Sequence, residues 1–145
     1  MKSRTKARSV ALQVLYEIDL TGHPIGTVFQ TRLDTEPLDK STADFSWQII
    51  AGVVPLMAKL DAFIAQHAPE WPMDQVAIID RNILRIAVWE FAVSETTPVK
   101  VAINEAIELA KLFGSDSTPR FVNGVLGSLA NRQAEIKKAL GLTTL

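Results

Sequence analysis

The chain has 145 residues, of which 48% are hydrophobic and 21% charged, a composition typical of one globular domain spanning 1–145 and not of a disordered tail. It contains no cysteine, which excludes a disulfide scaffold, a zinc knuckle and a thiol nucleophile. The formal net charge of −1 neither favours nor excludes nucleic acid as a ligand, so the distribution of the charges matters more than their sum.

The first predicted helix, Ser3 to Leu20, begins with a cluster of cations, here called the basic segment: Lys2, Arg4, Lys6 and Arg8. These are four of the 15 basic residues, and the other 11 face 16 acidic residues, a net charge of −5. Cations at a helix N-terminus oppose the helix dipole, so we interpret the conflict as a sign that an anion binds there. The alternative is a frayed, solvated terminus that only keeps the protein soluble.

The middle of the first half predicts a short helix over Ile25 to Leu33 and then a long one. Ser41 and Asp44 resemble a capping box that opens the long helix, which should run to about Ala68 and bend at Gly52 and Pro55. Its uncharged run, residues 45–58, is shorter than the roughly 20 apolar residues of a membrane span, and no signal peptide precedes it. We therefore expect a cytoplasmic protein without a membrane partner.

A turn at Pro69 to Pro72 predicts the boundary between an N-terminal half, about 1–69, and a C-terminal half, about 72–142. Asp74 should cap the next helix, which is apolar around so much of its circumference that it should be central. No alternation typical of strands occurs anywhere. The predicted fold is all-α, with two packed helical sub-bundles and about seven helices.

The stretch from Pro98 to Leu126 predicts a helical hairpin. Thr97 should cap its first helix and Gly114 should end that helix in the left-handed conformation. Thr118 and the proline after it should start the second helix, which we expect to continue to about residue 140.

Few residues suggest catalysis. His23 and His67 have no further ligand at metal-binding spacing, so we predict neither a metal site nor a cofactor. Glu105 and Glu108 are spaced for acid and base roles, but Lys111 follows Glu108 at i+3 and favours a solvated ion pair. With no phosphate loop and no serine nucleophile motif, we predict a binding protein and not an enzyme.

The basic segment is suited to the phosphates of a nucleic acid, and Arg120 with Phe121 could stack on unpaired bases. The alternative for Phe121 is a core residue one turn before Val125. The choice between these two roles stays open at this point.

The hairpin also carries a resemblance. The segment Val101 to Lys111 reads VAINEAIELAK. It is followed by the pair Phe113-Gly114 and then, at a fixed separation, by RFVNGVL, which ends at Leu126. This pattern resembles the NusB family of bacterial transcription antitermination factors, and the resemblance covers nearly the whole chain. It implies a NusB-like all-α fold and binding of boxA-type single-stranded RNA together with NusE, a small-subunit ribosomal protein. It also implies membership of the RNA polymerase antitermination complex on ribosomal RNA operons.

The same resemblance implies roles for particular residues. Arg4, Lys6 and Arg8 match an arginine-rich segment that touches RNA, Phe121 matches an RNA-contacting position, and Asp80 matches an acidic position that meets NusE. Arg120 and Phe121 should then lie close to the basic segment. The sequence departs from the family pattern in ways that would weaken RNA affinity. The basic segment contains lysines and is interrupted at Thr5, and a proline precedes Arg120.

Two alternatives remain. NusB-like domains occur as RNA-binding modules fused to ribosomal RNA methyltransferases, although no cofactor-binding domain is present in this chain. Some relatives form dimers that cover the RNA site, so a dimeric helical scaffold, a possible homodimer, is the second alternative.

Overall fold

The computed structural model describes residues 1–67, 73 and 75–142, and its regular structure within these ranges is helical. The helices are α1 (Ser3–Thr21), α2 (Ile25–Thr35), α3 (Lys40–Val53), α4 (Met57–His67), α5 (Ile78–Val88), α6 (Val99–Phe113), α7 (Thr118–Leu129) and α8 (Gln133–Ala139). A 3-10 turn, Val54–Leu56, joins α3 to α4, and a π-helical turn, Trp89–Ser94, extends α5. The all-α prediction is confirmed, and counting α3 with α4 as one interrupted rod gives seven helices in the described ranges.

Helix α5 lies at the centre, as its apolar circumference predicts. It packs against α1, α3, α4, α6 and α7. One hydrophobic cluster extends from α1 to the last residues of α8, so helices of both predicted halves contribute to a shared core. The predicted boundary turn at Pro69 to Pro72 and the predicted cap Asp74 lie outside the described residues.

The start and the middle of the α3–α4 rod differ from the prediction. Asp39, and not Ser41, caps α3: its Oδ1 accepts a hydrogen bond from the Thr42 backbone N–H at 2.9 Å. Pro55 lies in the 3-10 turn that interrupts the rod, as expected for a residue without a backbone N–H. Gly52 serves a different purpose, because a Cβ there would overlap the indole ring of Trp89. Glycine thus lets α3 approach the π turn closely.

The hairpin forms, but three details of its prediction are wrong. The Thr97 hydroxyl donates to Glu90 at 2.9 Å and does not cap α6, which begins after Pro98. Gly114 is extended, with φ −89° and ψ −176°, and is needed because a Cβ would lie 2.5 Å from Thr118. The last predicted helix is two helices, α7 and α8, separated by residues 130–132.

The helical run Lys40–His67 is 28 residues long and, by length and composition alone, apolar enough to cross a membrane. The prediction of no membrane span rested on the shorter uncharged run within it, residues 45–58. A single such helix is weak evidence for a membrane span, since core helices pass the same test. Buried side chains on this run, including Ile49, Val53, Leu60 and Ile64, belong to the shared core.

Candidate nucleic-acid interface

Three cations of the basic segment lie on the surface at the start of α1. Lys2, Arg4 and Lys6 are exposed, and no carboxylate of the described residues lies within ion-pair distance of them. The first turn is formed, because the Lys6 N–H donates to the Lys2 carbonyl at 2.9 Å. No side chain caps this end of the helix. This end of α1 therefore presents to solvent its unpaired N–H groups, the positive end of the helix dipole and three cations. Such an arrangement attracts anions.

Arg8, the fourth predicted RNA-binding residue, lies in the core and is only 3% exposed. Its Nε and Nη2 atoms donate to both oxygens of Glu90 at 2.8 and 2.7 Å. Its Nη1 atom is 3.6 Å from Glu105, and Glu90 also accepts the hydrogen bond from Thr97. This bidentate buried pair fastens α1 to the π turn. In this arrangement Arg8 has no access to a phosphate.

Glu105 anchors the basic segment from α6. It accepts a hydrogen bond from the Thr5 hydroxyl, at 3.1 and 3.3 Å to its two oxygens, in addition to its contact with Arg8. Glu108 instead pairs with Lys111 on the surface at 3.6 Å, the solvated ion pair that the spacing favours. The two carboxylates therefore have separate structural partners. In the described ranges, no group of three His, Asp or Glu side chains is arranged to hold a metal ion.

The other end of α1 is held by a second charge cluster. Asp19 accepts hydrogen bonds from Arg81 at 2.7 and 2.9 Å, from Arg85 at 2.8 Å and from Asn82 at 3.1 Å. Burial alone would raise the pKa of Asp19, but these hydrogen bonds and the Arg85 charge outweigh it and hold the pKa below its usual value. Arg85 also pairs with Asp61 of α4 at 2.7 and 2.5 Å. The cluster fixes the start of α5 against α1.

Asp80, Arg120 and Phe121 lie together at this same end, around a cavity of about 390 Å³. Its lining residues are Gln75, Val76, Ala77, Asp80, Ser117, Arg120 and Phe121. The Thr118 hydroxyl donates to Asp80 at 3.0 Å and so joins the start of α7 to α5. Burial raises the pKa of the Asp80 carboxyl, and the Thr118 hydrogen bond offsets part of that rise.

Phe121 lies between the core and the surface, and its role in base stacking stays a prediction. It is half-buried and packs against the core, and it also forms part of the cavity wall. Arg120 beside it is exposed. Both residues of the pair therefore line the cavity.

The expected closeness of Arg120 and Phe121 to the basic segment is wrong. Helices α1 and α5 are antiparallel, since Arg8 meets Glu90 at one end and Asp19 meets Arg81 at the other. Arg8 and Asp19 are 11 residues apart on α1, which corresponds to about 16 Å of helix axis. Arg120 and Phe121 sit beside Asp80 at the Asp19 end. The two candidate RNA-contacting regions thus occupy opposite ends of α1.

A second feature near Asp80 escaped the sequence analysis: an apolar groove, here called the α1–α6 groove, of about 330 Å³. Its lining residues are Gln13, Tyr16, Glu17, Leu20, Arg32, Ile79 and Phe113. Leu20 on its wall and Leu112 beside Phe113 are 57% and 52% exposed. The signal was available, because Leu20 and Leu112 are apolar residues outside the core-facing stripes of their helices. Large exposed apolar side chains grouped in this way are typical of a protein interface.

Comparisons with known proteins agree with this architecture. The model of the NusB family matches residues 5–131. The transcription antitermination protein NusB of Chloroflexus aggregans (strain MD-66 / DSM 9485) is 43% identical over 138 residues, covering 94% of this chain and 92% of that protein. The structure of T. maritima NusB is similar with a TM-score of 0.83 and 27% identity, covering 93% of this chain and 96% of that one. The crystal structure of antitermination factors NusB and NusE in complex with dsRNA contains a similar chain, with a TM-score of 0.82, 25% identity and coverage of 90% and 97%.

Proposed function

The chain belongs to the NusB family, and we propose that it acts as a transcription antitermination factor that binds RNA together with NusE. It is a binding protein and not an enzyme. The RNA would be of the boxA type and single-stranded, and the setting would be the RNA polymerase antitermination complex on ribosomal RNA operons, in the cytoplasm. The observation that carries the proposal is the cluster of three exposed cations on the ordered first turns of α1.

The basic segment supplies the first RNA contact. Lys2, Arg4 and Lys6 lie on a helix end that Thr5 and Arg8 fasten to Glu105, so the cations are held in place before RNA arrives. A pre-ordered site avoids the entropy cost of folding a disordered arm on binding. The contact is to phosphates and is therefore largely independent of sequence.

Arg120 and Phe121 supply the second contact, at the far end of α1. An aromatic ring next to a guanidinium suits an unpaired base, and the cavity beside them gives that base room. Lys6, the exposed cation of the basic segment nearest to this end, is 13 residues from Asp19 on α1, which is about 20 Å of helix axis, so the bound RNA must extend along the molecule. The losses of binding free energy caused by substitutions in the two regions should then add.

NusE would dock on the surface around Asp80 and the α1–α6 groove. The chain outside the basic segment carries a net charge of −5, and Asp80 follows Ile79, which lines the α1–α6 groove together with the exposed Tyr16 and Leu20. A basic ribosomal protein matches that charge, and an apolar contact beside it would supply the buried area. The groove and Asp80 together are the proposed partner surface.

The proposal is tested by titrating the full chain with a labelled boxA-type strand, with a duplex of the same sequence, and with NusE present or absent. We expect tighter binding to the single strand than to the duplex, and tighter still with NusE. Equal binding to any RNA of the same length would contradict the boxA assignment. Removing residues 1–8 altogether is unsuitable, because Ala7 and Arg8 are buried and Glu90 would lose its partner.

Sedimentation of the same mixtures tests the alternatives. A homodimer could cover the α1–α6 groove with a second copy of the chain, and such a dimer should dissociate or rearrange when RNA and NusE are added if the proposal is correct. A dimer that ignores both would favour the helical scaffold. A monomer that binds RNA but never NusE would favour a module of a ribosomal RNA modification system.

A further inference from the structure

One exposed arginine of the basic segment differs from its lysine neighbours in what lies beneath it. The Arg4 guanidinium carbon is 4.2 Å from the ring centroid of Phe45, which belongs to α3. Phe45 is only 8% exposed, whereas Arg4 is exposed. The guanidinium therefore lies over the ring at cation–π distance, and because Arg4 is exposed, its side away from the ring is open to solvent.

The arrangement beneath Arg4 is fixed by buried contacts. Arg8 lies 5.2 Å from the same ring centroid, and its guanidinium is held by both oxygens of Glu90. Thr5, next to Arg4 in sequence, is hydrogen-bonded to Glu105. The ring, the helix turn and the second guanidinium are thus all restrained, so Arg4 stacks on a rigid support.

We infer that Arg4 and Phe45 form a stacking platform for one unpaired base of the bound RNA, with Phe45 as the positioning residue. The inference rests on the proposed RNA-binding function. Single-stranded RNA is recognised by stacking its bases on aromatic rings or guanidinium planes, and a guanidinium already stacked on a ring presents its free face without further ordering. Lys2 and Lys6 have no plane and serve the phosphates as point charges.

The platform assigns different roles to the lysines and the arginine of the basic segment. A purely electrostatic segment would tolerate Arg4→Lys, because the charge is kept. A stacking role would not tolerate it, because an ammonium group has no planar face. Arg4 is exposed, and lysine keeps the charge and an aliphatic stem over Phe45, so the variant should fold as the wild type, which thermal melting checks.

The experiment measures the affinity of the wild type and Arg4→Lys for three probes: a boxA-type single strand, a ribose–phosphate strand of equal length without bases, and a duplex. We expect Arg4→Lys to weaken binding of the base-bearing strand by about 5- to 150-fold, the range for losing one stacked base. Binding of the baseless strand and the salt dependence should stay unchanged. Arg132→Lys, at a surface position before α8, is the matched control and should behave as the wild type with all three probes.

Phe45→Leu provides the second arm, because it removes the ring and keeps an apolar side chain beside α1. It should weaken binding of the base-bearing strand by a similar factor, and the double variant should lose little more than either single variant. Thermal melting shows whether Phe45→Leu is folded; if it is not, Arg4→Lys alone decides. Equal losses on the baseless and base-bearing strands, or no loss at all, would overturn the platform while RNA binding stands. A wild type that binds none of the probes would instead overturn the proposed function.

Discussion

Removing the exposed cations should change the salt dependence of RNA binding by an amount that the structure sets. Four exposed cations lie at the proposed RNA contacts, Lys2 and Lys6 at phosphates and Arg4 and Arg120 beside bases, and each adds positive charge next to the RNA backbone, whereas Arg8 is buried and does not count. Each phosphate contact to a single strand contributes about −0.7 to the slope of log affinity against log salt, so the wild type should show a slope of about −3. Replacing Lys2, Arg4 and Lys6 by glutamine should leave a slope of about −0.7.

These slopes translate into a measurable difference. Between about 50 and about 200 mM salt, the affinity of the wild type should fall about 50-fold and that of the triple variant about threefold. Fluorescence anisotropy with a labelled boxA-type strand measures both. Arg120→Gln alone should lower the slope by about 0.7, which shows whether Arg120 or Arg8 is the fourth contact.

The control for these variants is Lys138→Gln, which removes an exposed cation from α8. It should leave the slope unchanged. A triple variant that keeps the wild-type slope would refute the assignment of RNA contacts to the basic segment. So would a loss of slope in Lys138→Gln equal to that of a single substitution within the segment, because net charge and not position would then explain the effect.

Four further substitutions test the structure. Arg8→Met should lower the free energy of unfolding in urea by about 3–5 kcal/mol, because Glu90 would stay buried without its partner; an unchanged midpoint would contradict the buried pair. Gly52→Ala should destabilise by about 1–3 kcal/mol through steric overlap, whereas Gly124→Ala, whose Cβ meets open space, should stabilise by about 0.5–1 kcal/mol; equal signs would refute the distinction. Because burial raises the folded-state pKa of Asp80, its ionised form costs stability at neutral pH. Asp80→Asn should therefore raise the free energy of unfolding at pH 7 by no more than about 0.5 kcal/mol, seen as a higher melting temperature. This gain should disappear as the pH falls below the usual aspartate pKa. The same variant should weaken NusE binding.

Helix positions and the central place of α5 were predictable because they depend on short-range apolar periodicity. The apolar stripe of a helix is set by residues three and four positions apart, and α5 carries apolar side chains on several sides, which brings neighbours against each of them. Arg81 and Arg85 of the same helix meet the carboxylates of Asp19 and Asp61. The helix ends were less predictable. Asp39 and Ser41 are both good caps, and the choice of Asp39 follows from where the chain enters α3.

The predictions for Gly114 and Thr97 of the hairpin are wrong for the same reason. Gly114 after a helix usually signals a left-handed end, but here the small residue makes room for Thr118. Thr97 before Pro98 has the pattern of a cap, but its hydroxyl is taken by Glu90. In both cases a contact between side chains overrode the local preference of the backbone, and such contacts are not visible in a window of a few residues.

Arg8 shows most directly where local reasoning stops and what the structure adds to it. Its partner Glu90 is 82 positions away, so no local pattern separates it from Lys2, Arg4 and Lys6. The conflict between these cations and the helix dipole predicts an anion, and the fold supplies one for Arg8 from its own carboxylates, Glu90 and Glu105. For the three exposed cations the described part of the chain supplies none within ion-pair distance, although Lys6 is close enough for its charge to add to the hydrogen bonds from Thr42 and Ser41 that lower the pKa of the Asp39 carboxyl. An external anion is therefore expected at these three cations and not at Arg8.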